Sequence, residues 1–226
     1  MRAATTPPSP WLLTLRYWWE PGEVFRGLRT KPAWFPAYLL TASLMAAGTL
    51  IAYSHVTAST REALSQAGVA EGFLRVIMTS TSIGLALTPL VSPLIAAVLV
   101  SYLLLLVGIF MGAPVRFGQL FSLAMWSFVP FQGLRFLVQG IVAPLAGVPA
   151  IDAVDLSLAV LLPATLPAVA LAVASQIDPF YLWSLGLLTL GYATMFRRSR
   201  KEALAVSFLL MGVRTVLTVL ILRADI

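Results

Sequence analysis

Residues 177–203 read IDPFYLWSLGLLTLGYATMFRRSRKEA, and this stretch decides the fold. Residues 180–196 carry no charge, and a run of this length is close to the ~20 residues that a helix needs to cross a bilayer core of ~30 Å. Asp178 and Pro179 suit the N-cap and the first position of that helix. Four bases follow the run: Arg197, Arg198, Arg200 and Lys201. Because bases gather on the cytoplasmic side of membrane helices, the stretch predicts a membrane span and its orientation.

The composition of the whole chain agrees with a membrane environment. Of its 226 residues, 59% are hydrophobic and 11% are charged, and the mean hydropathy is +0.91, whereas soluble domains carry about 25% charged residues. The chain has no cysteine, which excludes disulfides, thiolate metal ligands and thiol nucleophiles. The net charge of +6 resides in bases at the ends of apolar runs. This distribution fits membrane orientation better than a nucleic-acid-binding face.

Five apolar runs are long enough to cross a membrane, so we predict an all-α polytopic bundle. Long unbroken apolar runs indicate helices, since only helices and closed barrels satisfy their backbones in lipid. Pro89 and Pro93 in the second run and Pro130 in the third kink or start these helices. The predicted spans are 33–54, 83–111, 117–142, 179–196 and 203–222. They divide the chain into a cytoplasmic or interfacial segment, 1–32, and a membrane domain, 33–226.

Residues 156–177 form one further uncharged segment, and its role depends on the number of spans. With five spans and a cytoplasmic N-terminus, ten bases fall on the cytoplasmic side and three on the outer side. A sixth span through this segment would leave seven bases against six and would favour no orientation. We therefore predict five spans in the inner (plasma) membrane with the N-terminus in the cytoplasm. The segment 156–177 is then re-entrant or lies on the outer surface.

Two segments of mixed polarity flank the first span. Residues 10–34 combine Trp, Tyr and Phe with bases, a composition typical of one or two amphipathic helices at the membrane surface. This segment is either a plain anchor or a docking site for a cytoplasmic partner. Within residues 58–73, Ser59 and Glu62 have the S-x-x-E spacing of a capping box, which predicts a short outer helix.

Two arginines fall within predicted spans, where a charged side chain is costly and by default indicates function. Arg135 lies towards the outer end of the third span, and Asp178 lies at a similar height before the fourth. We hypothesise that they pair and tie the two spans together; the alternative for Arg135 is snorkelling to the interface. Arg214 lies about 17 Å into the fifth span. Three acceptors are open to its guanidinium: a backbone carbonyl freed by a proline, a water-filled cavity or a carboxylate.

The sequence contains none of the residue patterns that carry catalysis or bind cofactors. His55 is the only histidine, and no HExxH, G-x-S-x-G, Walker-type or G-x-G-x-x-G motif occurs. We therefore predict no catalytic, cofactor-binding or metal site, and no enzyme. Gly108 and Gly112, like Ser43 and Ala47, have the small-xxx-small spacing that permits close helix approach in a bundle or a homo-oligomer.

Three segments give the chain a resemblance to a known membrane-protein family. PGEVFRGLRTKPAWFPAYLL (21–40) leads into the first span, and FGQLFSLAMWSFVPFQGL (117–134) has a central proline. IDPFYLWSLGLLTLGYATMFRRSRKEAL (177–204) contains D-x-F-x-x-W, a glycine and a basic cluster. Over residues 15–222 this order resembles the Yip domain family, the Ypt/Rab-interacting-protein superfamily, in its bacterial branch.

This resemblance implies five membrane helices and a cytoplasmic N-terminal region. It also implies that Pro130, Asp178, Trp183 and Gly191 are family features with an architectural role. Eukaryotic members are linked to vesicle trafficking and Rab-type GTPases; their long cytoplasmic N-terminus is reduced here to about 32 residues.

Two functions of different classes follow from these observations. The first is a non-enzymatic scaffold or membrane-organising protein. Its expected partners are the lipid bilayer, a membrane or cytoplasmic protein and a second copy of the chain, with no nucleic acid. The second is a permease or channel-like component for a small solute or ion, because proline-broken spans, the 156–177 segment and Arg214 are features found at transport sites.

Overall fold

The computed structural model describes residues 10–112, 114–163 and 165–224, and over these residues the chain is helical and contains no strand. Two short helices come first, α1 (Pro10–Arg16) and α2 (Pro21–Thr30), and we call them together the N-terminal hairpin. The remaining α-helices follow in this order: α3 (Phe35–Gln66), α4 (Glu71–Phe110), α5 (Phe117–Ser127), α6 (Arg135–Ala146), α7 (Ala168–Ala174), α8 (Pro179–Phe196) and α9 (Arg200–Ala224). The predicted all-α class is confirmed.

The number of helices able to cross a membrane agrees with the five-span prediction. Within the described ranges, four stretches are individually long and apolar enough: Phe35–Gln66, Glu71–Phe110, Val129–Ala146 and Arg200–Leu220. Helices α7 and α8 pass the same test together, with a bend of 56° between them, as in a broken span or a re-entrant loop. Counting this pair as one crossing gives five. The bent pair agrees with the predicted re-entrant segment near 156–177, and its second helix, α8, coincides with the predicted span 179–196.

Helices α3 and α4 are longer than one membrane crossing requires. Their 32 and 40 residues correspond to about 48 Å and 60 Å, against a hydrocarbon core of ~30 Å. The turn that joins them has Gly68 at φ 70°. The predicted short outer helix is wrong, because Ser59 and Glu62 lie inside α3. Extending an existing helix adds one hydrogen bond per residue, whereas a separate helix requires a new and costly nucleus.

The third span is interrupted by a π-helical turn, Val129–Leu134, between α5 and α6. Pro130 has no backbone N–H, and its ring disturbs the normal α-helical hydrogen-bond ladder. The N–H of Phe131 bonds to Ser184 Oγ of α8 at 3.1 Å. The chain thus departs from α-helical geometry where a hydroxyl of the neighbouring helix supplies an acceptor. Single π turns of this kind are frequent at functional sites.

The N-terminal hairpin packs into the main hydrophobic core. Val24, Phe25 and Leu28 of α2 are fully buried on one face of the helix. The same core includes side chains of α5, α8 and α9, among them Leu120, Leu123, Trp126, Leu188, Tyr192 and Val206. The opposite face exposes Glu23 and Arg26, which form an ion pair. The helix is amphipathic as predicted, and protein rather than lipid covers its apolar face.

Hydrogen bonds between the ends of helices show which basic segments lie close together. Gln119 Nε2, at the start of α5, donates to the backbone oxygen of Arg29 near the end of α2, at 2.9 Å. Arg198 Nη2, after α8, donates to the backbone oxygen of Met111, after α4, at 3.4 Å. Since α5 begins where α4 ends, the bases of α2 and of 197–201 lie at one end of the bundle. This arrangement requires an even number of crossings between the two segments, and four of the five crossings lie between them.

Helices α3 and α6 cross with their backbones in contact at Gly48 and Gly140. A Cβ atom at 140 would lie 2.6 Å from the Gly48 Cα, and one at 48 would lie 2.7 Å from the Phe136 oxygen. Close approach of this kind maximises van der Waals packing between membrane helices. The predicted small-residue position Gly108 instead packs against Val115, in the loop that follows its own helix.

We predict that Gly140→Ala destabilises the protein by about 1–3 kcal/mol, because the added methyl group forces the two backbones apart. The measurement is the free energy of unfolding in detergent micelles. Gly186→Ala is the matched control, because a Cβ at 186 meets nothing within 4 Å and alanine favours the helix by up to ~1 kcal/mol. Equal stability of the two variants would contradict the close crossing.

Candidate functional site

Arg135 and Asp178, which the sequence analysis paired, are in direct contact. Arg135 begins α6 directly after the π turn, and its Nε donates to Asp178 Oδ2 at 2.6 Å. The side chain of Asp178 is 1% exposed and that of Arg135 is 24% exposed. A charge-assisted hydrogen bond in such a shielded place is stronger than a neutral one. The pair joins the third crossing to the start of α8.

The other oxygen of the same carboxylate caps α8. Asp178 Oδ1 accepts hydrogen bonds from the N–H groups of Phe180 at 2.8 Å and Tyr181 at 3.1 Å. Pro179 follows the cap at the first helical position, where its missing N–H costs nothing. One carboxylate oxygen therefore binds an arginine while the other serves the helix N-terminus, whose dipole favours a negative charge.

Gln139 extends this polar contact to the segment after α6. Its Oε1 accepts from Arg135 Nη1 at 3.2 Å, and its Nε2 donates to the backbone oxygen of Val154 at 2.6 Å. The side chain is buried, so both bonds are shielded. Sequence reasoning missed this residue, although an amide four positions after an in-span arginine was the available signal.

Arg214 of α9 lies against the same group of residues. Its Cζ is 4.1 Å from the centre of the Tyr181 ring and 4.6 Å from that of Phe131, distances at which a guanidinium and an aromatic face attract. Arg135 Cζ is 5.3 Å from the Phe131 ring. We call the following residues the arginine cluster: Phe131, Arg135, Asp178, Tyr181 and Arg214. Within the described part of the chain, Arg214 Nη1 is buried and has no hydrogen-bond partner.

A cavity of about 290 Å³ adjoins Arg214 between α4, the π turn, α8 and α9. Its walls are mainly apolar and include Ala96, Leu99, Leu103, Phe128, Val213 and Leu217. Polar groups come from Arg214, Gln132 and Thr218. The sequence analysis offered a water-filled cavity as one surrounding for Arg214, and the cavity beside it is mainly apolar.

The cluster combines two guanidinium groups with one carboxylate, so its character is that of a fixed positive charge. An arginine stays protonated in proteins, so it is a fixed cation rather than a general acid or base. Among the described residues, no three His, Asp or Glu side chains gather in a group that could hold a metal ion.

Pro130 and Gly191 lie where α8 meets its neighbours. Pro130 is buried in the π turn. A Cβ at 191 would come within 2.9 Å of the Phe25 ring and would collide with Leu123. The glycine therefore gives α2 and α5 access to the backbone of α8. These are contacts between helices, which is the kind of position an architectural residue occupies.

Hydrogen bonds fasten the N-terminal hairpin to α5. The buried Tyr17 hydroxyl donates to the backbone oxygen of Trp126 at 2.8 Å, and Trp126 Nε1 donates to the backbone oxygen of Ala33 at 2.8 Å. Burial raises the pKa of Tyr17, so the hydroxyl stays protonated and remains a donor. Together with the Gln119–Arg29 bond, these contacts fix the hairpin, and the chain directly after it at Ala33, to α5 at three places.

The six tryptophans of the chain gather around the hairpin. Trp11, Trp18, Trp19 and Trp34 belong to the N-terminal segment. Trp126 is bonded to it as described, and the ring of Trp183, about half exposed, lies 6.1 Å from that of Trp18. Indole rings favour the headgroup layer of a bilayer, which suits the exposed Trp11 and Trp19, whereas Trp126 is fully buried inside the protein. Sequence reasoning assigned only the first four to the interface.

We predict that Arg135 and Asp178 are energetically coupled by about 0.5–3 kcal/mol. The measurement is a double-mutant cycle on the free energy of unfolding with Arg135→Gln and Asp178→Asn, since asparagine keeps the helix cap. The control cycle uses Glu23→Gln and Arg26→Gln, an exposed pair for which a coupling of about 0.2–1 kcal/mol is typical. A buried-pair coupling no larger than the control coupling would count against the tie between the two crossings.

Comparison with known protein families identifies the family to which the chain belongs. The model of the Yip1 domain matches residues 16–222, which include α2 to α8, the arginine cluster and nearly all of α9. Searches of curated proteins and of solved structures found no match. Because the match covers most of the chain and contains all three segments from which the resemblance was drawn, the chain belongs to the Yip1 domain family of membrane proteins.

Proposed function

We propose that the protein is a non-enzymatic, membrane-organising scaffold that presents a fixed surface of aromatic and basic side chains to anionic lipid headgroups. The observation that carries the proposal is the fastening of the N-terminal hairpin to the bundle. Three hydrogen bonds and a fully buried helix face hold it in place. A hairpin that served only as a flexible membrane tether would not need these contacts. A hairpin that presents its side chains in a fixed geometry does need them.

The outward face of the hairpin has the composition that binds a membrane surface. Trp11, Leu15 and Trp19 are exposed, as are Arg16 beside them and Arg26 on α2, which also pairs with Glu23. Exposed apolar side chains insert at the headgroup boundary, and each base near an anionic surface contributes about 1 kcal/mol. The family is a membrane-protein family, which supports a role exerted through the bilayer or through bound proteins.

In this proposal the end of the bundle that carries the C-terminal end of α2 and residues 197–201 faces the cytoplasm. The basis is the excess of bases at that end, which the positive-inside rule assigns to the cytoplasmic side. Arg61 and Arg75 lie at the opposite end, near the tip formed by α3 and α4.

The orientation predicts the labelling of single-cysteine variants, which are informative because the chain has no native cysteine. We expect Thr30→Cys and Lys201→Cys to react with an impermeant maleimide only from the cytoplasmic side. Gln66→Cys, at the far end of α3, is the control and should react only from outside. Labelling of Thr30→Cys and Lys201→Cys from opposite sides would refute the arrangement.

The scaffold itself predicts a local enrichment of anionic lipid. A donor dye on Thr30→Cys in reconstituted vesicles should transfer energy to labelled phosphatidylglycerol more efficiently than to labelled phosphatidylcholine, and salt should reduce the difference. The triple change Arg16→Gln, Arg26→Gln and Arg29→Gln should lower the enrichment about tenfold or more, at ~1 kcal/mol per base.

Arg61→Gln with Arg75→Gln is the matched control at the opposite end and should leave the enrichment unchanged. If the triple variant kept the full enrichment, the hairpin would not be the lipid-binding surface and the proposal would fail.

A permease is the second candidate, and the cavity beside Arg214 is the observation that favours it. Discontinuous helices with polar groups facing a cavity are common in transporters. Solute flux into proteoliposomes separates the two functions. A permease should show flux that Arg214→Leu abolishes while the protein stays folded, whereas a scaffold should show none.

A further inference from the structure

We propose that the cavity beside Arg214 is a lipid site that binds one acyl chain of an anionic phospholipid, with the lipid phosphate at the Arg214 guanidinium. The site lies between α4 and α9, away from the outward face of the N-terminal hairpin. The proposal therefore does not depend on the scaffold function, and different variants test the two.

The arginine cluster has two guanidinium groups and one carboxylate, so it carries one excess positive charge. Arg135 has Asp178 as its partner at 2.6 Å, and the other carboxylate oxygen is occupied by the α8 N-terminus. Arg214 is left with the faces of Phe131 and Tyr181, and in the described chain its buried Nη1 has no acceptor. An unpaired charge in apolar surroundings is costly, and a phosphate would accept from this nitrogen and neutralise it.

The walls of the cavity suit a hydrocarbon chain. Ala96, Leu99 and Leu103 recur at helical spacing on α4, and Leu210, Val213 and Leu217 do so on α9. Leu99 and Leu217 are more than half exposed, so the cavity opens between the two helices towards the surrounding lipid. Its volume of about 290 Å³ is at the lower end of ligand pockets. It therefore accommodates part of one chain while the rest of the lipid stays in the bilayer.

The height of Arg214 in the bundle suits a headgroup. Tyr181, which contacts Arg214, lies in the first turn of α8, three residues after the Asp178 cap. This is the end of α8 opposite to the bases of 197–201, so the guanidinium lies towards the headgroup layer on the far side of the bundle from those bases. A phosphate at this height meets the guanidinium without leaving the interface. Gln132, which also lines the cavity, offers an amide as a further donor.

The test is native mass spectrometry of the full chain in neutral detergent, titrated with phosphatidylglycerol and with phosphatidylcholine of identical chains. We expect the wild-type protein to retain phosphatidylglycerol at least tenfold more strongly. Arg214→Gln should reduce that retention to the phosphatidylcholine level. Arg61→Gln, an exposed arginine near the far end of α3, is the matched control and should change nothing.

A second variant keeps the test decisive if Arg214→Gln does not fold. Leu99→Trp narrows the cavity from the α4 side and leaves Arg214 itself unchanged, and Leu99 is 60% exposed, so the core is undisturbed. It should reduce retention of both lipids at least fivefold while the thermal midpoint and the elution volume stay unchanged. Retention equal to wild type in Leu99→Trp would overturn the site, as would equal retention of the two lipids by the wild-type protein.

Competition identifies the source of the anion. Inorganic phosphate at millimolar concentration should not displace phosphatidylglycerol, and oleate should displace it weakly. Full displacement by inorganic phosphate would show a plain anion site, and full displacement by equimolar oleate would show a fatty-acid site; either result overturns the phospholipid proposal. The triple hairpin variant Arg16→Gln, Arg26→Gln and Arg29→Gln should retain the lipid like wild type, which separates this site from the scaffold surface.

Discussion

The carboxylate of Asp178 is the contact on which the rest of the arrangement depends. In an apolar environment a polar group without a partner costs several kcal/mol, and this one acid satisfies an arginine and two backbone N–H groups at once. It thereby fixes where α8 begins relative to α6. From that start, Tyr181 reaches Arg214 and Ser184 reaches the π turn. The positions of three crossings thus follow from one buried acid.

Local signals in the sequence were sufficient for the all-α class, the α8 cap and the Arg135–Asp178 contact. The last could be found because charged side chains are so rare in the apolar runs that each in-span arginine has few partners. The Gly48–Gly140 crossing, the Gln139 bridge and the buried face of α2 could not be found in this way. Each depends on residues distant in sequence, and glycines and alanines are too common here for spacing alone to select a pair. The capping-box pattern at Ser59 failed for a different reason. Propagation of an existing helix is more favourable than ending it at a local signal and nucleating a new one.

Family membership and packing agree about the N-terminal hairpin. The Yip1 domain match begins at residue 16, and Tyr17, Val24, Phe25 and Leu28 belong to the main hydrophobic core. The hairpin is therefore an integral layer of the domain, although its composition resembles that of a peripheral anchor. Arg214 presents the opposite case. Its charge is typical of a surface residue, yet it lies within the domain and lines a cavity between α4 and α9.

The π turn also bears on how the chain tolerates changes in length. An α-helix turns by about 100° per residue, so one inserted residue would rotate every later side chain away from its neighbours. The wide turn Val129–Leu134 takes up such a residue locally. In this way α5 keeps Leu123 towards Gly191 of α8 while α6 keeps Gly140 towards α3. The turn changes the angular position of the side chains that follow it. The two halves of one crossing can therefore face neighbouring helices that a regular α-helix would not face at the same time.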